Sequence, residues 1–310
     1  MRRARRVATG LVAVAVLAAL PGCGGDEAAT QDTEGSATTA APEWAAPLLS
    51  EEGPEAAAVL ATSDFAVGPN RVGFLLVRDD GSLVRARSAD VYYRPTPDGP
   101  TAHTVARLLP IGVGGAAADG EVKEIYVATV DLPSPGRHWV VIQPRGEAFQ
   151  GFQMLDVKRS PTAVGVGERA PASRNPTSPP GRATAITTAR PPDVELLRHS
   201  VADSLAAGTP FVVAFSTPAY CQSRTCGPTL DVVEAVRRRF AKTDIRFIHV
   251  EIYEDNLPGN GVNRWVKEWR LPTEPWVFVV GREGVVLDRF EGAVSVEELA
   301  RSVRRNLVTG

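Results

Sequence analysis

The stretch 211–228, FVVAFSTPAYCQSRTCGP, decides how the second half of this 310-residue chain is read. An apolar run, Phe211 to Phe215, ends at Ser216-Thr217-Pro218 and leads into two cysteines, Cys221 and Cys226, with Gly227-Pro228 behind the second. Apolar residues in unbroken succession, without polar alternation, indicate a strand buried on both faces. The following segment, TLDVVEAVRRRFAK (229–242), has helical spacing. An uninterrupted helix from 221 to 226 would separate the two Cα atoms by about 7.5 Å of rise alone, beyond the roughly 7 Å that a disulfide allows. If the pair bridges, residues 222–225 form a loop and the helix starts at or after Cys226.

Outward from this stretch, strands and helices alternate. A helix is expected over 199–208, with Ser200 as N-cap, Asp203 in its first turn and Gly208 as its stop. Beyond the cysteines come a strand at 244–254, a short helix from Asn263 to Trp269, strands at 275–281 and 284–292, and a closing helix whose capping box is Ser295 with Glu298. Residues 54–158 differ: short β-runs such as VGFLLV (72–77), EIYVATVDL (124–132) and HWVVIQP (138–144) are separated by Gly and Pro turns, which suggests a small sandwich. A Pro-rich stretch, 159–192, joins the halves as a linker or extended wrap.

The N-terminus sets the compartment. Arg2, Arg3, Arg5 and Arg6 precede an apolar stretch that ends at Leu20-Pro21-Gly22-Cys23, the pattern of a secretory signal. That ending resembles a bacterial lipobox, which implies cleavage before Cys23, a lipid on its sulfur and residues 1–22 as a lipoprotein signal peptide. Residues 23–53 are poor in large apolar side chains and are expected to form a disordered tether. Without residues 1–22, which carry four arginines and no acid, the chain keeps 30 basic and 36 acidic residues, net −6. No broad basic face follows from that balance, so nucleic acid is not expected as a partner. With Cys23 lipidated, Cys221 and Cys226 remain as the one cysteine pair, and an exported pair this close is expected to bridge.

Three features give residues 165–310 a resemblance to the thioredoxin family: the strand running into the cysteine loop at FSTPAYC, Pro275 opening the EPWVFVVGREG hairpin where that family places a cis-proline, and Gly292 after the last strand. VGVGERAPAS (164–173) is similar to the segment that leads into extracytoplasmic members. YVATVDLPSPGRHWVVI (126–142) resembles the last hairpin of immunoglobulin-like domains, with Tyr126 and Trp139 as core anchors. The fold class expected from these resemblances is an α/β thioredoxin-like domain at 193–310, a mixed sheet flanked by helices, joined to an all-β immunoglobulin-like sandwich at 54–158.

The resemblance implies a thiol-disulfide oxidoreductase that acts on exported protein thiols or disulfides, with Cys221 and Cys226 as the redox pair, Tyr220, Glu274 and Pro275 meeting the client chain, and no cofactor. The sequence departs from the family pattern in its C-x4-C spacing, in Ala214 where a buried acid often precedes the strand-ending Phe215, and in acidic Glu274 before the proline. Two registers are open: FSTPAYC puts Cys221 at the attacking position, while TCGPT puts Cys226 there with Thr229 in place of the second cysteine. Arg224 and the helix terminus favour a thiolate, and Glu274 opposes it.

Two other readings stay in view. The pair can be a fixed staple in a binding module, or part of a copper site similar to that of Sco-type chaperones, which use a cysteine pair and a distant histidine. His249 lies on a strand whose alternation buries it. His103 and His138 read as surface or hairpin residues, His199 as a helix-start residue, and two methionines give no copper cluster. The anchor is directly testable. Cys23→Ser should move the protein from the membrane fraction to the soluble one, and retention through a salt wash would refute lipid anchoring.

Overall fold

The computed structural model describes residues 43–48, 57–96, 98–114, 122–178, 181–221 and 225–308. The expected signal segment, Cys23, most of the expected tether and Arg224 lie outside these residues. Residues 41–310 form one compact unit. Among the described residues, no helix is long and apolar enough to cross a membrane.

Seven strands make up the first body: β1 (Ala57–Leu60), β2 (Gly68–Val77), β3 (Ser88–Tyr93), β4 (Ala102–Pro110), β5 (Glu124–Leu132), β6 (Gly136–Pro144) and β7 (Gly151–Val157). They form a single antiparallel series in the order β1-β2-β5-β4-β3-β6-β7. The series curls until its two edges meet, where Gln153 of β7 donates to the Ala58 carbonyl of β1 (2.9 Å). Alternation along the strands decides what lies inside. Phe74 and Tyr126 stack there with ring centroids 5.4 Å apart, and the Tyr126 hydroxyl, 2.8 Å from the Ala86 carbonyl it donates to, is satisfied despite burial. Trp139, expected as a second core anchor, falls on the opposite face of β6, half-buried against Phe152. Residues 43–48, within the expected tether, form a short 3-10 helix on this body, where Gln143 donates to the Leu48 carbonyl.

The second sheet has the order β11-β10-β8-β9, with β8 (Phe211–Phe215), β9 (Arg246–Val250), β10 (Trp276–Val280) and β11 (Val286–Glu291). Helices α2 (Cys226–Arg239) and α4 (Val296–Val303) cover one face, over Val212, Ala214, Val277 and Val279. The other face carries Phe211, Val213, Phe215 and Phe278, packed against Val201 of α1 (Val201–Ala206) and Val266 of α3 (Arg264–Glu268). Trp269, fully buried, lies between Phe215 and Phe278 at 5.2 and 4.6 Å. The local signals read from the sequence are in place: Ser200 Oγ accepts from the Asp203 N–H (3.0 Å) and Ser295 with Glu298 forms a capping box. The segment after β7 wraps rather than hangs, with Ala163, Val164 and Ala170 buried in the same cluster.

The expected fold class is corrected by this architecture. Among the described residues strand outweighs helix, which accounts for 23% of them. Among the described strand pairs only β8 with β9 is parallel. The periodic segments do form helices, but three of the four described α-helices span 6, 5 and 8 residues, and a crossover through α2 supplies the one parallel strand pairing among the described residues. An α/β class needs repeated crossovers of that kind. The thioredoxin-like class is therefore not retained, and the oxidoreductase assignment that it carried loses its support from fold. Any chemistry has to be argued from the side chains.

The two sheets are locked together by buried charge. Asp64, in the loop between β1 and β2, has a fully buried side chain that accepts from the Thr162 and Ala163 N–H groups (2.8 and 3.0 Å) and from Arg289 of β11 (2.8 Å). Burial would push its carboxyl up, but the Thr162 N–H and the Arg289 guanidinium outweigh that and hold it below the usual carboxylate range. In return, Glu291 at the end of β11 accepts from the N–H groups of Ser63 and Asp64 (2.8 and 2.9 Å). Arg71 of β2 adds a pair with Glu298 (2.9 Å) and donates to the Ala293 carbonyl (2.8 Å). Asp64→Ala removes three of these bonds and leaves Arg289 uncompensated, so urea unfolding should show a loss of about 3–5 kcal/mol. Arg85→Ala, which removes the exposed pair with Glu124, should change stability by less than about 0.5 kcal/mol. Equally small effects at both positions would show that the sheets do not depend on the buried cluster.

Candidate functional site

Strand β8 delivers the cysteines. Its five residues are all buried, held parallel to β9 and antiparallel to β10. Past Phe215 the chain leaves the sheet at Ser216 and Thr217, both fully buried, and turns at Tyr220, whose N–H donates to the Thr217 carbonyl (3.1 Å). Cys221 and Cys226 form a disulfide with Cα atoms 5.8 Å apart. Helix α2 starts at Cys226 itself, as the spacing argument requires of a bridged pair.

The two sulfurs are not equivalent. Cys226 has no exposed surface, whereas Cys221 is half-buried. The Cys226 N–H, one of the donors that a helix start leaves unused, points to Cys221 Sγ at 3.2 Å. The first turn of α2 contains no acid and its last turn carries Arg237, Arg238 and Arg239. The positive end of the helix dipole therefore faces the disulfide without local neutralisation. The opposing charge comes from another element: a Glu274 carboxylate oxygen lies within 4.8 Å of both sulfurs. The Glu274–Pro275 peptide is cis, Pro275 is buried, and Tyr220, next to Cys221 in the chain, is exposed. Thus the structure brings Tyr220, Cys221, Cys226, Glu274 and Pro275 into one region.

Beside the disulfide, a cavity of about 520 Å³ opens between the two sheets. Leu60, Leu75, Ile111 and Ile125 of the seven-stranded body form one wall, and Thr225 and Glu274 form its cysteine side. The loop after β4 closes behind it: a Cβ added to Gly112, whose φ is +74°, would stand 3.2 Å from the Pro228 side chain in the first turn of α2. Sequence reasoning missed this wall, because no local pattern in β1, β2 or β5 shows that residues far ahead of the cysteines face them.

Under the cysteine loop lies a buried polar cluster. His249 Nε2 is 3.1 Å from Ser216 Oγ, its Nδ1 is 3.3 Å from Thr187 Oγ1, and Glu251 accepts from the hydroxyls of Thr187 and Thr188 (3.1 and 2.9 Å). Thr188 Oγ1 also receives the Ala219 N–H (3.2 Å), which ties the cluster to the loop. His249 is thereby a structural residue and not aimed at the sulfurs. His138 places Nδ1 3.1 Å from the Arg94 carbonyl and Nε2 2.9 Å from the Ser134 carbonyl, and His103 pairs with Asp90 at 2.7 Å. His199 stands apart from the cysteines, at the start of α1.

No family model matches this chain, and no curated protein matches it. Among solved structures it is similar to the filamin domain of Lin-41, at 15% identity and a TM-score of 0.22, over 35% of this chain and 100% of that one. A likeness of that size assigns no function.

Burial holds the His249 pKa below its ordinary 6.5, against the pull of Glu251. The unfolded histidine takes up a proton as pH falls through 6.5 while the folded one does not, so stability is full above that pH and declines below it, by at most about 1.4 kcal/mol per pH unit. Urea titrations from pH 7.5 to 5.5 should show that decline, and His249→Gln should flatten it. Some slope should persist, since partial burial and Arg246 also hold His199 down. An unchanged slope in the variant would mean that His249 is not the group that refuses the proton.

Proposed function

We propose that this chain exchanges disulfides with exported proteins through Cys221 and Cys226, at a membrane surface to which Cys23 tethers it. The observation that carries the reading is the asymmetry of the pair: a reachable sulfur and a sealed one, joined across the start of a 14-residue helix. A permanent staple has no need of a reachable sulfur at a helix terminus, whereas exchange requires both features.

The oxidising direction balances as follows. A client thiolate attacks Cys221 Sγ along the S–S axis, the Cys221–Cys226 bond breaks, and Cys226 leaves as a thiolate beside the helix N-terminus. A second client thiolate then attacks the client sulfur of the mixed disulfide, and Cys221 leaves, held by the Cys226 N–H. The client gains a disulfide, and the pair gains two electrons and, from the client thiols, two protons. Run backward with Cys221 as the nucleophile, the same steps reduce a client. Tyr220 and the Glu274-Pro275 turn flank the approach, and the cavity beside them receives apolar side chains next to the client cysteine.

Trapping tests this. With Cys226→Ala, client proteins should accumulate as mixed disulfides on Cys221, at least about tenfold over the reciprocal Cys221→Ala variant, whose remaining sulfur is sealed. More trapping with Cys221→Ala would reverse the roles. If neither variant traps a client and the oxidised pair resists mild reductant in the folded protein, the bridge is a staple and the exchange reading fails.

A further inference from the structure

Glu274 is out of place for thiol chemistry alone. An anion within 4.8 Å of both sulfurs raises the cost of a thiolate and slows attack at neutral pH. The same anion is well placed once both sulfurs carry charge and a cation lies among them. We infer that the reduced pair and Glu274 together form a zinc site, open when the cysteines are thiols and abolished when they bridge.

The donor set fits this metal. Zinc takes thiolate sulfur at about 2.3 Å and carboxylate oxygen at about 2.1 Å, in tetrahedral geometry, which puts neighbouring donors about 3.6–3.8 Å apart. Cys221, Cys226 and Glu274 already converge within 4.8 Å in the bridged state, so the carboxylate has to close by about 1 Å and the sulfurs, once reduced, to separate to about 3.8 Å. Two thiolates and a carboxylate carry three negative charges, of which a divalent ion leaves one and a monovalent copper ion leaves two. A hard carboxylate oxygen also suits zinc better than Cu(I), which selects soft sulfur donors. The half-buried side of Cys221 leaves the fourth position to a water or to a donor from a client. Three protein ligands and an open position are the pattern of a reactive zinc site rather than a closed structural one.

The redox gate follows from electron counting. A disulfide sulfur has no thiolate charge to give, so the oxidised protein offers only the carboxylate. A dithiol reductant delivers two electrons and two protons to the bridge and becomes a disulfide itself. Zinc then displaces the two protons from Cys221 and Cys226, and the bound metal shields the thiolates from reoxidation. This inference does not rest on disulfide exchange, because its readout is metal binding after chemical reduction.

The test uses the full-length protein, reduced with a dithiol that is then removed, and titrated with Co²⁺ and with Zn²⁺ against a chromogenic chelator. Reduced protein should bind one equivalent, with a thiolate-to-cobalt charge-transfer band, and oxidised protein should bind none. Glu274→Gln should weaken binding by at least about tenfold, and Glu274→Asp should restore part of it. Unfolding curves of the oxidised variants, in which the site plays no part, show whether each is folded. Absence of binding by the reduced protein, equal affinity in Glu274→Gln, or binding of Cu(I) with none of Zn²⁺ would each overturn the proposal.

Discussion

Everything near the cysteines depends on a carboxylate exchange between two sheets that have no strand in common. Asp64 of the first body is held by Arg289 of the second, and Glu291 of the second is held by the backbone of Ser63 and Asp64. Each acid is buried with hydrogen bonds in place of water, which is the condition under which a buried charge holds a structure rather than weakening it. Removing a partner from such a pair leaves an unpaired charge in a region of low dielectric. The geometry is correspondingly fixed, because few other arrangements satisfy the same donors and acceptors.

That fixed geometry makes the cavity beside the disulfide. Its two walls come from opposite ends of the chain, and Gly292 shows how closely they approach: a Cβ there would lie 2.8 Å from the Ala61 carbonyl oxygen. The disulfide therefore sits at the rim of a pre-formed space, with the helix dipole on one side and Glu274 on the other. Opposing electrostatic influences on one sulfur pair are the most informative feature of the site, since the helix alone favours an active thiolate and the acid alone disfavours it.

Much of the second sheet was legible in sequence because its signals are local. The Phe211–Phe215 run, the Ser200 and Ser295 caps and the helix start at Cys226 each follow from neighbouring residues and simple geometry. The fold class was not legible in the same way. Helical periodicity in short segments reads as strongly as in long ones, so helices of 5 to 8 residues were given the weight of full crossover elements. The curled seven-stranded series was hidden for a related reason: β-runs with turns look alike whether their strands divide into two sheets or continue as one. At the site, Glu274 was visible as an anomaly before Pro275, whereas Leu60, Leu75, Ile111 and Ile125 carried no sign that they face a cysteine loop. The contacts that define the cavity are long in sequence, and sequence patterns are short.

The Asp64–Arg289 pair joins residues 225 positions apart, and this has a consequence for the order in which the molecule can be made. At a synthesis rate of about 5–20 residues per second, the first body, complete at Val157, would exist for roughly 7–26 s before Arg289 appears. During that interval Asp64 lacks Arg289 and Arg71 lacks Glu298, and the apolar wall of Leu60, Leu75 and Ile125 is without the residues that face it across the cavity. A long sequence separation also delays the closing contact kinetically, because loop closure has to precede the gain from pairing. The chain is thus most vulnerable to aggregation and proteolysis late in its biogenesis, after the first body has formed and before residues 289–298 have docked, and the last strand and helix act as the step that completes the molecule.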